Sequence, residues 1–373
     1  MDTLLELKKQ RQSIWLDYIR RDLIANGGLK RLIDFDGVSG ITSNPAIFER
    51  AIDESTVYDD ATRALQAAHP NLHGTEVYDR LSIEDVQMSA DLLMPIYERT
   101  AGADGYVSLE PPPQSTRDSA ETIREAHRLW RMISRPNLMI KVVATREGVK
   151  TVEELLAEGI NVNITLMFSL RHYEAVAGAY IRGVNRCHEP SRLASVASFF
   201  VSRVDTVVDR KLEQAHNPQA LALRGKIAIA NAKLVYRRFR DIFYGDTFAP
   251  LRQKNIRVQR PLWASTGTKN PAYSDVLYVE ELIGADTVNT MPPATLDAFR
   301  DHGKVRGSTV LEGISSAEEM LNQLSTEGID LAAVAEKLQE DGAAAFASAY
   351  DRVVTAIEKK RRFVAGAASG RQT

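Results

Sequence analysis

Short apolar runs recur along the chain, and most are followed by a longer stretch in which apolar positions return at helical spacing. That alternation predicts repeated strand-then-helix units. Eight such runs stand out: "SIWLD" (13–17), "SGIT" (39–42), "GYVSLE" (105–110), "LMIKV" (138–142), "NVNIT" (161–165), "SVASFF" (195–200), "RPLWAS" (260–265) and "DTVNT" (286–290). Eight parallel strands, each followed by a helix, close into a barrel, so the expected fold is α/β, a single (β/α)8 TIM barrel.

Two stretches fall outside the repeat. Between the second and third runs, at about 45–100, the pattern is helical, and Val77, Leu81, Val86, Leu92, Leu93 and Ile96 are spaced for an amphipathic helix pair. After the eighth run, "PPATLDAFRDHG" opens on prolines and stops at Gly303, which predicts the eighth barrel helix. Residues 1–303 are then the barrel domain with its insertion, and 304–373 a helical extension packed on it. Within the extension, Ser316 to Glu319 reads as a capping box. From Asp330 onward, Phe346, Tyr350, Val353 and Ile357 return at helical spacing, and the final "AGAASGRQT" reads as a frayed end.

Composition narrows the class. Hydrophobic residues make up 44% and charged residues 26%, with a net charge of −2, which describes a soluble protein without the basic excess that nucleic acid would require. Cys187 is the single cysteine, so internal disulfides and cysteine-rich zinc sites are excluded and a reducing compartment, the cytoplasm, is expected. The charged start and the lack of a run of about 18 apolar residues give no sign of export or membrane insertion. Metal is not expected: His69 and His73 have metal-like spacing, but Pro70 and Gly74 interrupt any helix that would align them. "ASTGTKNP" is a loop whose amides could meet a phosphate, yet it matches no nucleotide fingerprint, so no cofactor is expected.

In a parallel barrel, catalytic groups sit at the carboxyl ends of strands. Those ends read Asp17, Thr42 to Asn44, Glu110, Lys141, Asn163 and Thr165, Ser198, Ser265 and Asn289. One lysine, two carboxylates and several neutral donors make up the equipment for Schiff-base chemistry, in which an amine attacks a carbonyl and separate groups carry protons. Blander roles stand beside these. Short polar residues also favour strand ends for turn reasons. Lys141 could be a surface residue on a long stem or a salt-bridge partner, Asp17 could pair with Arg20 or Arg21, and Arg203 could pair with Asp205 rather than clamp a phosphate. Glu110 precedes Pro111, Pro112 and Pro113, which hold it extended under either role.

Six stretches, "GITSNPAIFERAI", "DGYVSLE", "RPNLMIKV", "EGINVNITLMFS", "SFFVSRVD" and "LWASTGTKNPAYSDVLYVEELIGADTVNTMPPATL", resemble the transaldolase family in its long bacterial form, in family order, across roughly residues 13 to 300. The resemblance implies a class I aldolase barrel that moves a dihydroxyacetone unit from sedoheptulose 7-phosphate or fructose 6-phosphate to glyceraldehyde 3-phosphate or erythrose 4-phosphate, as in the non-oxidative pentose phosphate pathway. It implies Lys141 as the Schiff-base lysine, Asp17 as the base for the C4 hydroxyl, and Glu110 as the acid/base acting through a water held by Thr165. Asn44, Asn163 and Ser198 would hold hydroxyls of the three-carbon fragment, with Thr42 also on the substrate-binding side. Arg203, Ser265 and Lys269 would take the phosphate. Fructose 6-phosphate aldolases related to this family carry glutamine where Glu110 stands and tyrosine where Phe200 stands, so both positions favour a transferase.

Two departures border the site. The family usually places proline where this chain has Val143, and valine, serine and proline where it has Pro111, Pro112 and Pro113. Altered acceptor preference or reduced activity would follow if either loop matters. Three functions are therefore weighed: a transaldolase, a Schiff-base aldolase acting on another sugar in a specialised pathway, and a non-catalytic sugar-phosphate-binding barrel. The expected partners are phosphorylated sugars, with the chain a monomer or homodimer.

Overall fold

The computed structural model describes residues 3–53 and 55–369. All eight expected strands are present within two residues of their sequence bounds: β1 (Gln12–Asp17), β2 (Val38–Thr42), β3 (Tyr106–Leu109), β4 (Leu138–Val143), β5 (Val162–Met167), β6 (Ser195–Phe200), β7 (Arg260–Ala264) and β8 (Thr287–Met291). Each pairs in parallel with the next, and β8 returns to β1, closing the barrel. Strands so enclosed are buried on both faces, which is why they read as continuous apolar runs rather than alternating ones.

The barrel interior is filled, not hollow. Trp15 is fully buried at its amino-terminal half, and Gly40 on the neighbouring strand makes room for it: a Cβ at Gly40 would lie 2.4 Å from the indole. A short helix, Thr3–Lys9, precedes β1, a feature the apolar pattern did not suggest.

The insertion departs from expectation in one respect. The helix pair expected at residues 75–100 is a single helix, Gly74–Arg99, preceded by Pro45–Asp53 and Asp59–Ala68. No breaker interrupts it before Pro95, near its end, where the carbonyl deprived of a partner belongs to exposed Asp91. Val77, Leu81, Val86, Leu93 and Ile96 are buried as expected, and Leu92 is half-buried.

The eighth barrel helix, Pro293–His302, starts on its prolines and stops at Gly303. In the extension, Ser316 does not cap. The helix begins two residues earlier, at Ile314, because Gly313 turns into it with a left-handed φ of 65°. A terminal helix then runs Leu331–Ser369, its first amides accepted by Asp330. Residues 365–369 of the expected frayed end continue this helix, and the rest lies outside the described residues.

The terminal helix crosses the carboxyl end of the barrel. The buried Gln339 donates to the carbonyl oxygens of Ala144 (3.0 Å) and Leu166 (2.9 Å), just past Val143 on β4 and within β5. Further along, Tyr350 meets the ring of Tyr78 edge-on at 5.2 Å, and Tyr78 meets Phe48 at 5.7 Å, joining the helix to the insertion. Among the described residues no helix is long and apolar enough to cross a membrane.

Candidate active site at the barrel mouth

Lys141 is 6% exposed, which rules out a surface role. Its Nζ lies 2.7 Å from Glu110 Oε1 and donates to the backbone carbonyl of Ser43 at 2.9 Å. β4 delivers the lysine, while the carboxylate comes from the residue that follows β3. Pro111 and Pro112 keep the backbone after Glu110 extended before a short 3-10 turn, Pro113–Arg117, begins.

Asp17, at the end of β1, faces the same space. Arg20 is held instead by Asp22, and Arg21 by Asp85 and Glu84, so neither arginine neutralises Asp17. Its hydrogen bond comes from Thr42 Oγ1 at 2.7 Å, and Thr42 in turn meets Thr290 at 2.7 Å. Burial pushes both Asp17 and Glu110 above the ordinary carboxylate range, and in both cases Lys141 is the leading opposing influence. Two acids with raised proton affinity therefore flank one amine.

Lys141 and Asp17 meet at a cavity of about 70 Å³ at the carboxyl ends of the strands, and Glu110, paired with the lysine, is not among the side chains that line it. Asp17, Thr42, Asn44, Lys141, Thr165, Ser198, Phe200, Arg203 and Ser265 all line it. Asn44 uses its Oδ1 to accept from Ile47 at the start of the first insertion helix, which fixes the amide at the rim. Thr165 is 1% exposed, and its hydroxyl has no protein partner. Arg203 does not pair with Asp205, whose carboxylate is engaged by Ala228 N and Tyr278 OH. It lies over the Phe200 ring at 5.0 Å and on the cavity wall, and burial lowers its pKa against the pull of Asp17 and Glu110.

Three further expected residues are placed away from the cavity wall. Asn163 sits beside Lys141 in register but beneath the cavity, donating to Ser108 at 2.9 Å and accepting from Ser198 at 2.6 Å. It reaches the cavity only by orienting Ser198. Asn289 points away from it, accepting from Thr266 at 3.0 Å, because neighbouring residues on a strand face opposite sides, and Thr290 takes the wall position. Lys269 is exposed on the loop after β7 and does not line the cavity, although its charge favours ionised Asp17.

Ala264, Thr290 and Phe346 also line the wall and escaped sequence reading. Thr290 needed the register of β8. Phe346 comes from the terminal helix, where its helical spacing marked it only as a packing residue. Leu166 and Ser265, at the ends of β5 and β7, both hold left-handed φ values (60° and 56°) without being glycine, which places backbone strain at the site. Among the described residues, no cluster of three His, Cys, Asp or Glu side chains is arranged to hold a metal.

Fold and cavity together define a parallel α/β barrel with a buried, carboxylate-flanked lysine at its carboxyl end. The family model described as transaldolase/fructose-6-phosphate aldolase matches residues 14–357, and the chain belongs to that family. Among its relatives, a transaldolase of Mycolicibacterium smegmatis is 43% identical over 350 residues, covering 93% of this chain and 94% of its own length. A transaldolase of Mycobacterium tuberculosis is 43% identical over 347 residues, covering 92% of each. A protein named transaldolase 2 in a Nostoc species is 42% identical over 373 residues, covering 96% and 97%.

Proposed function

We propose that this chain is a transaldolase that carries a dihydroxyacetone unit on Lys141 from a ketose phosphate to an aldose phosphate. The observation that carries this reading is the buried Lys141, paired with Glu110 at 2.7 Å and opening onto the same cavity as Asp17. Sedoheptulose 7-phosphate and fructose 6-phosphate are the donors, and glyceraldehyde 3-phosphate and erythrose 4-phosphate the acceptors.

The amine must be neutral to attack. Burial raises the proton affinity of Glu110, which brings the neutral amine and carboxylic acid closer in energy to the ion pair than they would be in water. Lys141 then adds to the C2 carbonyl, and Glu110 supplies and removes the protons of carbinolamine dehydration through a water held by Thr165. Asp17 takes the proton of the C4 hydroxyl, the C3–C4 bond breaks, and the aldose phosphate leaves. The enamine that remains attacks the acceptor aldehyde, with Asp17 returning its proton. Water then adds at C2 of the resulting iminium with Glu110 carrying the protons, so that the C–N bond breaks and the new ketose phosphate leaves Lys141 free. The iminium is the electron sink, so the reaction needs no metal.

Asn44 and Ser198, the latter oriented by Asn163, hold the hydroxyls of the fragment, with Thr42 fixing Asp17. Arg203 and Ser265 take the phosphate, and Lys269 adds charge from outside the wall. The carboxylate at Glu110 and the phenyl ring at Phe200 favour a transferase. Residues 1–303 form the barrel domain and 304–373 its extension, and the buried core that runs through both supports reading them as one unit. The single cysteine supports a cytoplasmic setting, with the enzyme a monomer or homodimer.

Borohydride reduction in the presence of fructose 6-phosphate should leave a three-carbon adduct that mass spectrometry maps to Lys141. Folded protein that yields no adduct would sink the reading. Coupled turnover with erythrose 4-phosphate then separates a transaldolase from an aldolase specialised for another sugar.

A further inference from the structure

Gln339, Gly342 and Phe346 lie along one face of the terminal helix, at positions i, i+3 and i+7, and all three address the barrel mouth. Each makes a different contact. Gln339 binds the Ala144 and Leu166 carbonyls. Gly342 allows close approach, since a Cβ there would lie 2.8 Å from Leu166 Cδ2. Phe346 lines the cavity, with the centre of its ring 5.9 Å from Lys141 Nζ.

Leu166 explains why the contact falls where it does. The β5–β6 register shifts between Ile164 and Met167, and within that irregularity Leu166 adopts its left-handed φ. The bulge aims Thr165 into the cavity and leaves the Leu166 carbonyl buried, where the Gln339 amide satisfies it. The terminal helix is thereby seated on the same irregularity that places Thr165.

We infer that this face closes the active site and that Phe346 is a specificity-determining residue, keeping bulk water from the covalent three-carbon intermediate so that an aldehyde is what reacts. Gln339 is the positioning residue that seats the ring. The inference rests on the transaldolase reading above. Without an acceptor, the enamine can take a proton at C3 to become an iminium. Water then adds at C2, the C–N bond breaks, and free dihydroxyacetone leaves as the lysine amine is regenerated. An apolar ring beside the nitrogen, in a cavity that Phe200 also lines, keeps bulk water from delivering the proton to C3 and so disfavours release.

The test measures a partition. With fructose 6-phosphate as donor, dihydroxyacetone released without acceptor is compared with sedoheptulose 7-phosphate formed when erythrose 4-phosphate is present. Phe346→Ala is expected to raise the ratio of release to transfer by about tenfold, with borohydride still trapping the adduct on Lys141. Phe346→Leu, which keeps most of the apolar volume, is expected to stay near the wild-type ratio and covers the case in which the alanine variant does not fold. Gln339→Ala should move the ratio in the same direction as Phe346→Ala, by less. A merely structural role would lower both rates together. An unchanged ratio in a Phe346→Ala protein that traps the adduct normally, or an equal rise in Phe346→Leu, would overturn the inference while leaving the transaldolase reading intact. Failure of the wild type to form an adduct would remove both.

Discussion

The two ends of this barrel each bury a carboxylate chemistry, and they treat it in opposite ways. At the amino-terminal end Asp104 accepts from Ser13, from Trp15 Nε1 at 2.8 Å, from Ser39 at 2.8 Å and from Gly105 N at 3.1 Å, with Arg260 4.0 Å away. At the mouth, Asp17 has one side-chain donor, and Glu110 leans on a single lysine. A saturated carboxylate ties strands together and has no capacity left for a substrate. An under-satisfied one raises its proton affinity and keeps acceptor sites free, which weakens the fold and permits chemistry. The barrel thus separates structure from function along its own axis.

Removing the functional end should abolish activity and spare the fold. Lys141→Met is expected to lower transfer by at least about 10⁴-fold while the melting temperature moves by only a few degrees, because Glu110 can take a proton rather than remain a lone buried charge. Glu110→Gln should cost about 10²–10⁴-fold in kcat, with a melting temperature equal to or above wild type. Activity assays paired with thermal melts check both.

Asp104→Ala should do the reverse. It leaves the donors from Ser13, Trp15 and Ser39 unanswered, and the expected loss is roughly 3–5 kcal/mol by urea unfolding, with near-normal kcat in the folded fraction. A stable Asp104→Ala protein without activity would break the comparison.

Asp205 tests whether a buried acid near the mouth, but off the cavity, follows the same rule. Burial pushes its pKa up to about 7, with Asp209 adding to the rise and the bonds from Ala228 and Tyr278 opposing it. The folded state therefore binds the proton more tightly than the unfolded state, whose carboxylate titrates near the usual ~3.9. The stability this group contributes is full below about pH 4 and is lost as pH rises through about 7. Unfolding titrations across that window should show the decline flattened in Asp205→Asn.

The smallest effect is expected at Val143, where the family usually has proline. On β4 the amides of Ile140 and Ala144 bond toward β5, so strand alternation turns the Val143 amide toward β3. The β3 pairing has already ended at Ile140. Val143→Pro therefore forfeits no paired ladder bond, and a stability change within about 1 kcal/mol is expected, with transfer within a few-fold of wild type. A larger effect would show that this strand end takes part in the site after all.

How far each end could be read from the chain follows from the same physics. Strand ends are local, so Asp17, Thr42, Glu110, Lys141, Thr165 and Ser198 were visible as polar residues closing apolar runs. The choice between Asn289 and Thr290 was not, because a strand's facing depends on register with its neighbours. The separate helices expected in the insertion merged into one because proline near a helix end is tolerated where water can serve the orphaned carbonyl.

The sequence alone determined the eight strands, their order and the lysine that one of them carries, because burial on both faces writes itself as an unbroken apolar run. Only the tertiary structure decided that Phe346 and Gln339, some two hundred residues beyond Lys141, roof the cavity that this lysine faces. Helical spacing states that one face of a helix will be buried and says nothing about what it is buried against. The partner here is a strained carbonyl at Leu166 that exists only once β5 and β6 have paired out of step.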